Sequence, residues 1–531
     1  MATDSTQQYG FRLEPELVVV ASREADVRAT REGLASAEEA NVDPLNDTLR
    51  EAQAELEPLF GESEERLRQA AAAPTATGEE APDLSVFYRV DASGDLESVA
   101  QALLESEAVE AAYVVPPAEP AEIMDGEALN AMTPAAEDAP PASPDFTSRQ
   151  GYLNRAPEGI DARHAWTVPG GRGTGVNIID VEGGWQFTHE DLRKNQGGVV
   201  SGVQIPDVDW RNHGTAVIGE FGGDRNGFGV VGISPAARVR AASILDAQGG
   251  ATTGRAIRRA ADALDAGDII LIELHRPGPR AIGQGQFGYI AVEWWPQDFA
   301  AIRYATSRGI IVVEAAGNGS QNLDDPIYSQ RPAGFPQSWR NPFNRDNRDS
   351  RAVVVGAGAP PPGTHGRNHG PDRSRLDFSN WGAMVDAQGW GREVTTTGYG
   401  DLQGGPNEDL WYTDQFSGTS SASPIVVGAL ACLQGIARAH SRPLLKPLGA
   451  RKILRSTGSA QQDAPGRPAS QRIGKRPDLR AAISRLLTPS ENGDVPARED
   501  LLAEHALEQR VAQLELEVAE LRALSGAEVS T

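Results

Sequence analysis

The chain has 531 residues, of which 39% are hydrophobic, a length that suits two or three domains with a large core. Its formal net charge is −25, and residues 1–150 hold 32 of the 74 acidic residues but only 9 of the 49 Lys and Arg. The remaining residues are close to neutral, so a basic footprint for nucleic acid is absent and anionic lipid would repel the acidic segment.

The longest apolar runs, such as 310–313 and 425–432, fall short of the roughly 18 to 20 residues that span a bilayer. No transmembrane helix and no membrane partner are expected. The first eight residues lack a basic start followed by an apolar stretch, which makes a cytoplasmic location the expectation. Cys432 is the single cysteine, so no intrachain disulfide can form; it reads as a small buried side chain.

Residues 1–116 read as an acidic α/β domain. Leu17-Val18-Val19-Val20 is a β-branched run, 84–90 alternates, and 109–115 closes the unit. A helix opened by Ser93 or Asp95 carries Leu96, Val99 and Leu103 on one face, and residues 49–73 predict a further helix. Residues 117–148 are rich in Pro, Ala and acids with few large apolar side chains, the composition of a linker.

Residues 149–490 alternate short Val- and Ile-rich strands with helices. The strands are expected at 176–179, 238–244, 269–274, 310–315 and 352–355; Ile257, Ala260, Ala261 and Leu264 mark a helix that Gly267 can cap. The pattern predicts an α/β fold, a mainly parallel sheet with helices on both faces. Residues 491–531 form a C-terminal linker and amphipathic helix. Leu507, Val511, Leu514, Val518 and Leu521 are spaced 4-3-4-3, which suits either a homodimeric coiled coil through 499–524 or a helix docked on the body.

Three segments carry chemistry. Gly175-Val176-Asn177-Ile178-Ile179-Asp180 ends a strand in a carboxylate, at the crevice where open α/β sheets place ligands, although Asp also caps turns there. Asn212-His213-Gly214-Thr215 puts an imidazole on a helix whose small residues permit close packing, a place that structural histidines also occupy. Ser417-Gly418-Thr419-Ser420-Ser421-Ala422-Ser423-Pro424 puts Ser420 at a helix N-terminus, where N–H groups favour a developing oxyanion, and where a serine cap is the plain alternative.

Together these segments resemble the subtilisin-like serine peptidases, with His213-Gly214-Thr215 and Gly418-Thr419-Ser420-Ser421-Ala422-Ser423-Pro424 matching the family's motifs and Ala315-Ala316-Gly317-Asn318-Gly319 its oxyanion-hole segment. The resemblance implies a serine endopeptidase acting on peptide or protein, with Ser420 as nucleophile, His213 as base, Asp180 holding the imidazole, and Asn318 as oxyanion donor. Leu274, His275, Arg276 and Gly317 would line the substrate, His275 and Arg276 standing where the family has smaller residues. They would form either a charged rim facing acidic peptide or a packed, salt-bridged base.

Val181 and Glu182 follow Asp180 where the family usually has Ser or Thr and then Gly. Glu182 would influence His213 or stand in solvent. No cofactor is required; the resemblance suggests a structural calcium near Asp191 and Asn226, for which ordinary turns are the alternative. His365 and His369 lie among Gly and Pro, a poor setting for zinc. The N-terminal domain is similar to subtilase prodomains, whose last strand enters the cleft, so processing is expected within 117–148 unless the domain stays attached. The competing expectations are a catalytically silent binding protein with this fold and an acid-active peptidase of the sedolisin kind.

Overall fold

The computed structural model describes residues 11, 13–30, 33–36, 41–92, 94–122, 142–195 and 197–488. The C-terminal 499–524 helix and its proposed pairing lie outside the described residues. The described residues up to Leu486 form one compact unit.

The N-terminal part is built on β1 (Glu16–Ala21), whose Leu-Val-Val-Val run is buried on both faces. It is the inner strand of an antiparallel sheet ordered β4-β5-β1-β6, with β4 at Glu55–Pro58, β5 at Phe87–Asp91 and β6 at Val109–Val115. A separate hairpin joins β2 (Val27–Thr30) to β3 (Gly33–Ser36). Leu17 and Val19 point into a small core with Leu45, Leu49, Tyr88, Ala100 and Leu103, drawn from the sheet, α1 (Asp43–Glu51) and α3 (Leu96–Leu103). Val18 and Val20 face the other way, into the large core that continues through the rest of the chain. This follows from the strand's period of two.

The single helix expected over 49–73 is two. Helix α1 ends at Glu51, β4 pairs with β5, and α2 (Glu64–Ala72) starts afresh. Pro58 and Gly61, the latter at φ +64°, interrupt any continuous helix between them.

The larger part contains a seven-stranded sheet ordered β16-β15-β14-β11-β8-β10-β9. Its strands are β8 (Asn177–Glu182), β9 (Val199–Ser201), β10 (Arg238–Ser243), β11 (Ile269–Ile272), β14 (Ile311–Ala315), β15 (Val353–Gly358) and β16 (Ala387–Trp390). Every pairing in it is parallel. Branched side chains suit strands that are covered on both faces, and the helices α5 (Val208–Gly222), α6 (Thr253–Asp262), α7 (Pro296–Ser307) and α8 (Thr419–Ala439) are packed with them. A short α4 (Ala162–Ala165) precedes the sheet, while α9 (Pro447–Thr457) and α10 (Leu479–Leu487) close the unit. Helix α8 is apolar and long enough to cross a membrane by composition, but its apolar window is wholly buried here. Cys432 lies on it, buried, and burial pushes its thiol up to about 12.

The strand order reverses between β8 and β11: β10 and β9 extend one side, β14 to β16 the other. Their carboxyl ends therefore open a crevice at the topological switch point. Asp180 and Glu182 stand at the end of β8, and Glu273 directly follows β11.

Two smaller sheets frame this crevice. One pairs β17 (Val394–Thr397) with β18 (Tyr412–Phe416). The other places β12 (Leu274–Pro277) between β13 (Tyr289–Ala291) and β7 (Glu119–Pro120). The latter joins the two halves of the chain, because β7 belongs to the stretch read from composition as linker. Ala118, Ala121 and Glu122 are at most 2% exposed, so residues 118–122 are packed chain rather than a solvated spacer. Composition marks the stretch as unable to fold by itself; here Glu119 and Pro120 pair with β12.

Candidate active site

His213 sits in α5, which Asp207 caps by accepting from the N–H groups of Asp209 and Trp210. The glycine after it has a steric reason: a Cβ at Gly214 would lie 2.2 Å from the Gly184 carbonyl oxygen. The imidazole is buried, and its edge-to-face contact with Phe416, at 5.6 Å between centroids, limits its rotation.

Its Nδ1 lies 2.6 Å from Oε2 of Glu182. The sequence expectation gave this place to Asp180. Instead, Asp180 Oδ2 accepts from Trp185 Nε1 at 2.7 Å. The physical reason is β8 itself. It runs through Glu182, so residues 180 and 182 project from the same face, and the longer glutamate reaches the ring. Glu182 is fully buried, not a solvated loop charge. The two-residue spacing on a strand was the available signal, missed because the strand was ended at Ile179.

Ser420 begins α8 as its second residue, and Pro424 lies inside the helix as its sixth, where the ring removes one N–H from the i→i−4 ladder. Its Oγ and His213 Nε2 are buried polar atoms that have no hydrogen-bond partner among the described residues. The backbone N–H of Ser420 donates at 3.0 Å to the carbonyl oxygen of Ala121. Gly418, at φ +107°, leaves the room for this approach, since a Cβ there would lie 2.3 Å from that same oxygen.

Asn318 flanks the same end of α8. Its Oδ1 accepts from Thr419 N–H and Oγ1, each at 2.9 Å, which fixes the amide orientation. One hydrogen of Nδ2 goes to Gln286 Oε1 at 3.0 Å, leaving a second N–H on the same nitrogen. Gln286 in turn donates to the Pro120 carbonyl at 3.0 Å.

The 118–122 segment is held along its length. Leu274 pairs with Pro120 and His275 with Glu119, antiparallel, and the Ala121 N–H donates to the Glu273 carbonyl at 3.3 Å. His275 is buried against Tyr289, and its Nδ1 accepts from the Asn318 N–H at 3.2 Å. Burial pushes its pKa down to about 3, so it is neutral. Arg276 is not a free rim charge. It is 2% exposed, ion-paired with Asp298 at 3.0 Å, bonded to Thr253, and in contact with the Pro116 carbonyl. Gly317 holds φ +93° and its carbonyl accepts from Asn380 N–H, which sets the turn that presents Asn318.

Sequence reasoning passed over Glu273, Gln286 and Trp185. Glu273 is fully buried and accepts from Ser423 Oγ at 3.4 Å. Burial raises its pKa well above the carboxylate range, and the neighbouring Asp180 and Glu182 push the same way.

The residues expected to hold calcium do not fit it. Asp191 is filled by hydrogen-bond donors: Asn226 Nδ2 at 2.6 Å, Val230 N–H at 2.7 Å and Tyr412 O–H at 3.1 Å. Asn226 presents its amide nitrogen, which cannot ligate a cation, and burial pushes Asp191 up to about 7. His365 and His369 both lie near Glu393. Among the described residues no group of three or more His, Cys, Asp or Glu is arranged to hold a metal.

The subtilase family model matches residues 158–472. The chain belongs to the subtilase family. The subtilase is 26% identical over 311 residues to an intracellular serine protease of Paenibacillus polymyxa, covering 56% of this chain and 78% of that protein. It is 27% identical to thermitase of Thermoactinomyces vulgaris, covering 57% and 88%. Fervidolysin from Fervidobacterium pennivorans shares the fold with a TM-score of 0.51 at 16% identity, over 92% of this chain and 62% of that one. The epidermin leader peptide processing serine protease of Staphylococcus aureus gives 0.51 and 16% over 90% and 100%. Membership and fold agree with a subtilisin-like serine peptidase.

Proposed function

We propose that the chain is a serine endopeptidase in which Ser420 attacks the scissile carbonyl and His213 takes the hydroxyl proton, a buried carboxylate behind the ring stabilising the imidazolium. The proton then goes to the leaving amine. The Ser420 N–H and the second Nδ2 hydrogen of Asn318 receive the oxyanion. Substrates are peptides or proteins bound in extended form on β12.

The observation that supports this best is the seating of the chain's own segment. Glu119 and Pro120 add a strand to β12, and the next carbonyl, of Ala121, takes the Ser420 N–H, as a substrate carbonyl would. The Ala121–Glu122 bond is therefore the first bond cut, and residues up to Ala121 form a prodomain that shields the cleft until then. The acidic excess suits this docking. Glu57 pairs with Arg255 at 2.8 Å, and Glu79 with Arg303 and Arg351, each at 2.9 Å. Labelling by a fluorophosphonate probe after processing, lost in Ser420→Ala, tests the enzymatic reading; equal labelling of both proteins would contradict it.

A further inference from the structure

We propose that Glu182, rather than Asp180, is the carboxylate that positions His213, and that Asp180 acts one step behind it by fixing Glu182. The inference rests on the serine-peptidase reading and adds a division of labour between two acids at that site. Two geometric facts support it. Glu182 Oε2 is 2.6 Å from the ring nitrogen, the separation of a charge-assisted bond. Asp180, two residues earlier on the same face of β8, has its Oδ2 taken by Trp185 Nε1 at 2.7 Å rather than by the ring.

The groups around this pair decide where its proton sits. His213 faces it from α5, Glu122 from the bound segment, and Glu273 from the end of β11. His213 is the one cationic candidate among them, and the acids disfavour two charges on the pair. Burial raises both carboxyls, Glu182 to about 8 and Asp180 well above the usual carboxylate range, and the neighbouring Glu182 pushes Asp180 the same way. In this proposal Asp180 holds the pair's proton, while Glu182 faces the imidazole as the acceptor. When Ser420 attacks, its O–H bond breaks and the proton moves to His213 Nε2. The resulting imidazolium holds its Nδ1–H against Glu182, and the Asp180 proton stays in place. Both acids are positioning residues, since neither touches the peptide.

The test uses the full chain in two forms. In a Ser420→Ala background, where the chain stays whole, proton NMR reads the low-field Nδ1–H resonance of His213. With Ser420 intact, the single-turnover rate of self-cleavage is followed by mass. Glu182→Gln is expected to remove the resonance and lower the rate by about 10⁴, the scale of losing a triad carboxylate. Asp180→Asn is expected to keep the resonance and cost about tenfold. The reverse pattern, with the resonance and most of the rate surviving Glu182→Gln but not Asp180→Asn, would overturn the proposal. If Glu182→Gln does not fold, Asp180→Asn decides alone: retention supports the assignment and loss contradicts it. Absence of self-cleavage in the unmutated chain would instead count against the peptidase reading, and the resonance arm would still report which acid holds the ring.

Discussion

Two buried groups of acids in this protein are treated in opposite ways. Around α9, Asp386 accepts from Arg345 at 2.7 and 2.8 Å and from Arg455 at 2.6 Å, while Asp349 takes both arms of Arg451 at 3.0 and 2.9 Å. Burial alone would raise these carboxyls, but the guanidinium groups outweigh it and hold both well below the usual range. At the crevice, Asp180, Glu182 and Glu273 are buried without an arginine or lysine in contact among the described residues, and all three are pushed up. Burial is common to both groups; the cations decide. The first group stays ionised and ties strand ends to a helix, while the second can exchange protons, which structure alone would not require.

Breaking the first group should give the largest loss of stability. Arg345→Ala leaves Asp386 short of its bidentate partner inside the protein and is expected to cost about 3 kcal/mol, the scale of breaking a buried pair. Chemical denaturation would show it as a lower midpoint with little change in slope. Glu273→Gln, which replaces an acid already favouring its neutral form, should cost far less at pH 5.

The donors proposed for the developing oxyanion, the Ser420 N–H and Asn318 Nδ2, are both neutral. Asn318→Ala should reduce the rate of self-cleavage by about 10²- to 10³-fold, and should also lower the melting temperature, because the Thr419 N–H and Gln286 lose their partner. An equal rate in the variant would show that the second Nδ2 hydrogen has no such role.

Glu16 gives an intermediate case, at the junction of the N-terminal sheet with the catalytic part. It is 5% exposed, accepts from Thr252 Oγ1 at 2.8 Å, and is pushed up to about 7, mainly by burial. A raised carboxyl favours the docked state fully below its unfolded pKa, and this contribution is lost as pH rises through about 7. After cleavage, the N-terminal part should dissociate more readily at pH 8 than at pH 5, and Glu16→Gln should flatten that dependence. Sedimentation of the cleaved complex at the two pH values would show it.

The smallest effect belongs to the rim. Arg255 pairs with Glu57, which is 54% exposed, so removing that charge pair by Glu57→Gln should weaken docking by less than about 1 kcal/mol and only at low salt.

Much of this arrangement was legible in the sequence. The β-branched runs locate β8, β10, β11, β14 and β15 to within a few residues, because strands buried on both faces leave continuous apolar text. His213, Ser420 and Asn318 were legible through the resemblance of their segments to subtilase motifs, in which Gly214 and Gly418 stand where close packing leaves no room for a Cβ. What escaped depended on chain partners far away in sequence. Whether Glu182 is solvated or bonded to a ring is decided by where β8 ends and where α5 lies. Residues 118–122 read as linker because nothing local satisfies them; their backbone partners are on β12 and at the start of α8. For Arg276 the sequence left a rim charge and a salt-bridged role both open, since its partner Asp298 arrives on a separate helix; the structure has the second.

The central claim is that the chain presents its own Ala121–Glu122 bond to Ser420. Mass spectrometry of the purified protein beside Ser420→Ala tests it most directly. A new N-terminus at Glu122, present only when Ser420 is intact, is the predicted result; an uncut chain, or the same cut in both proteins, would contradict it.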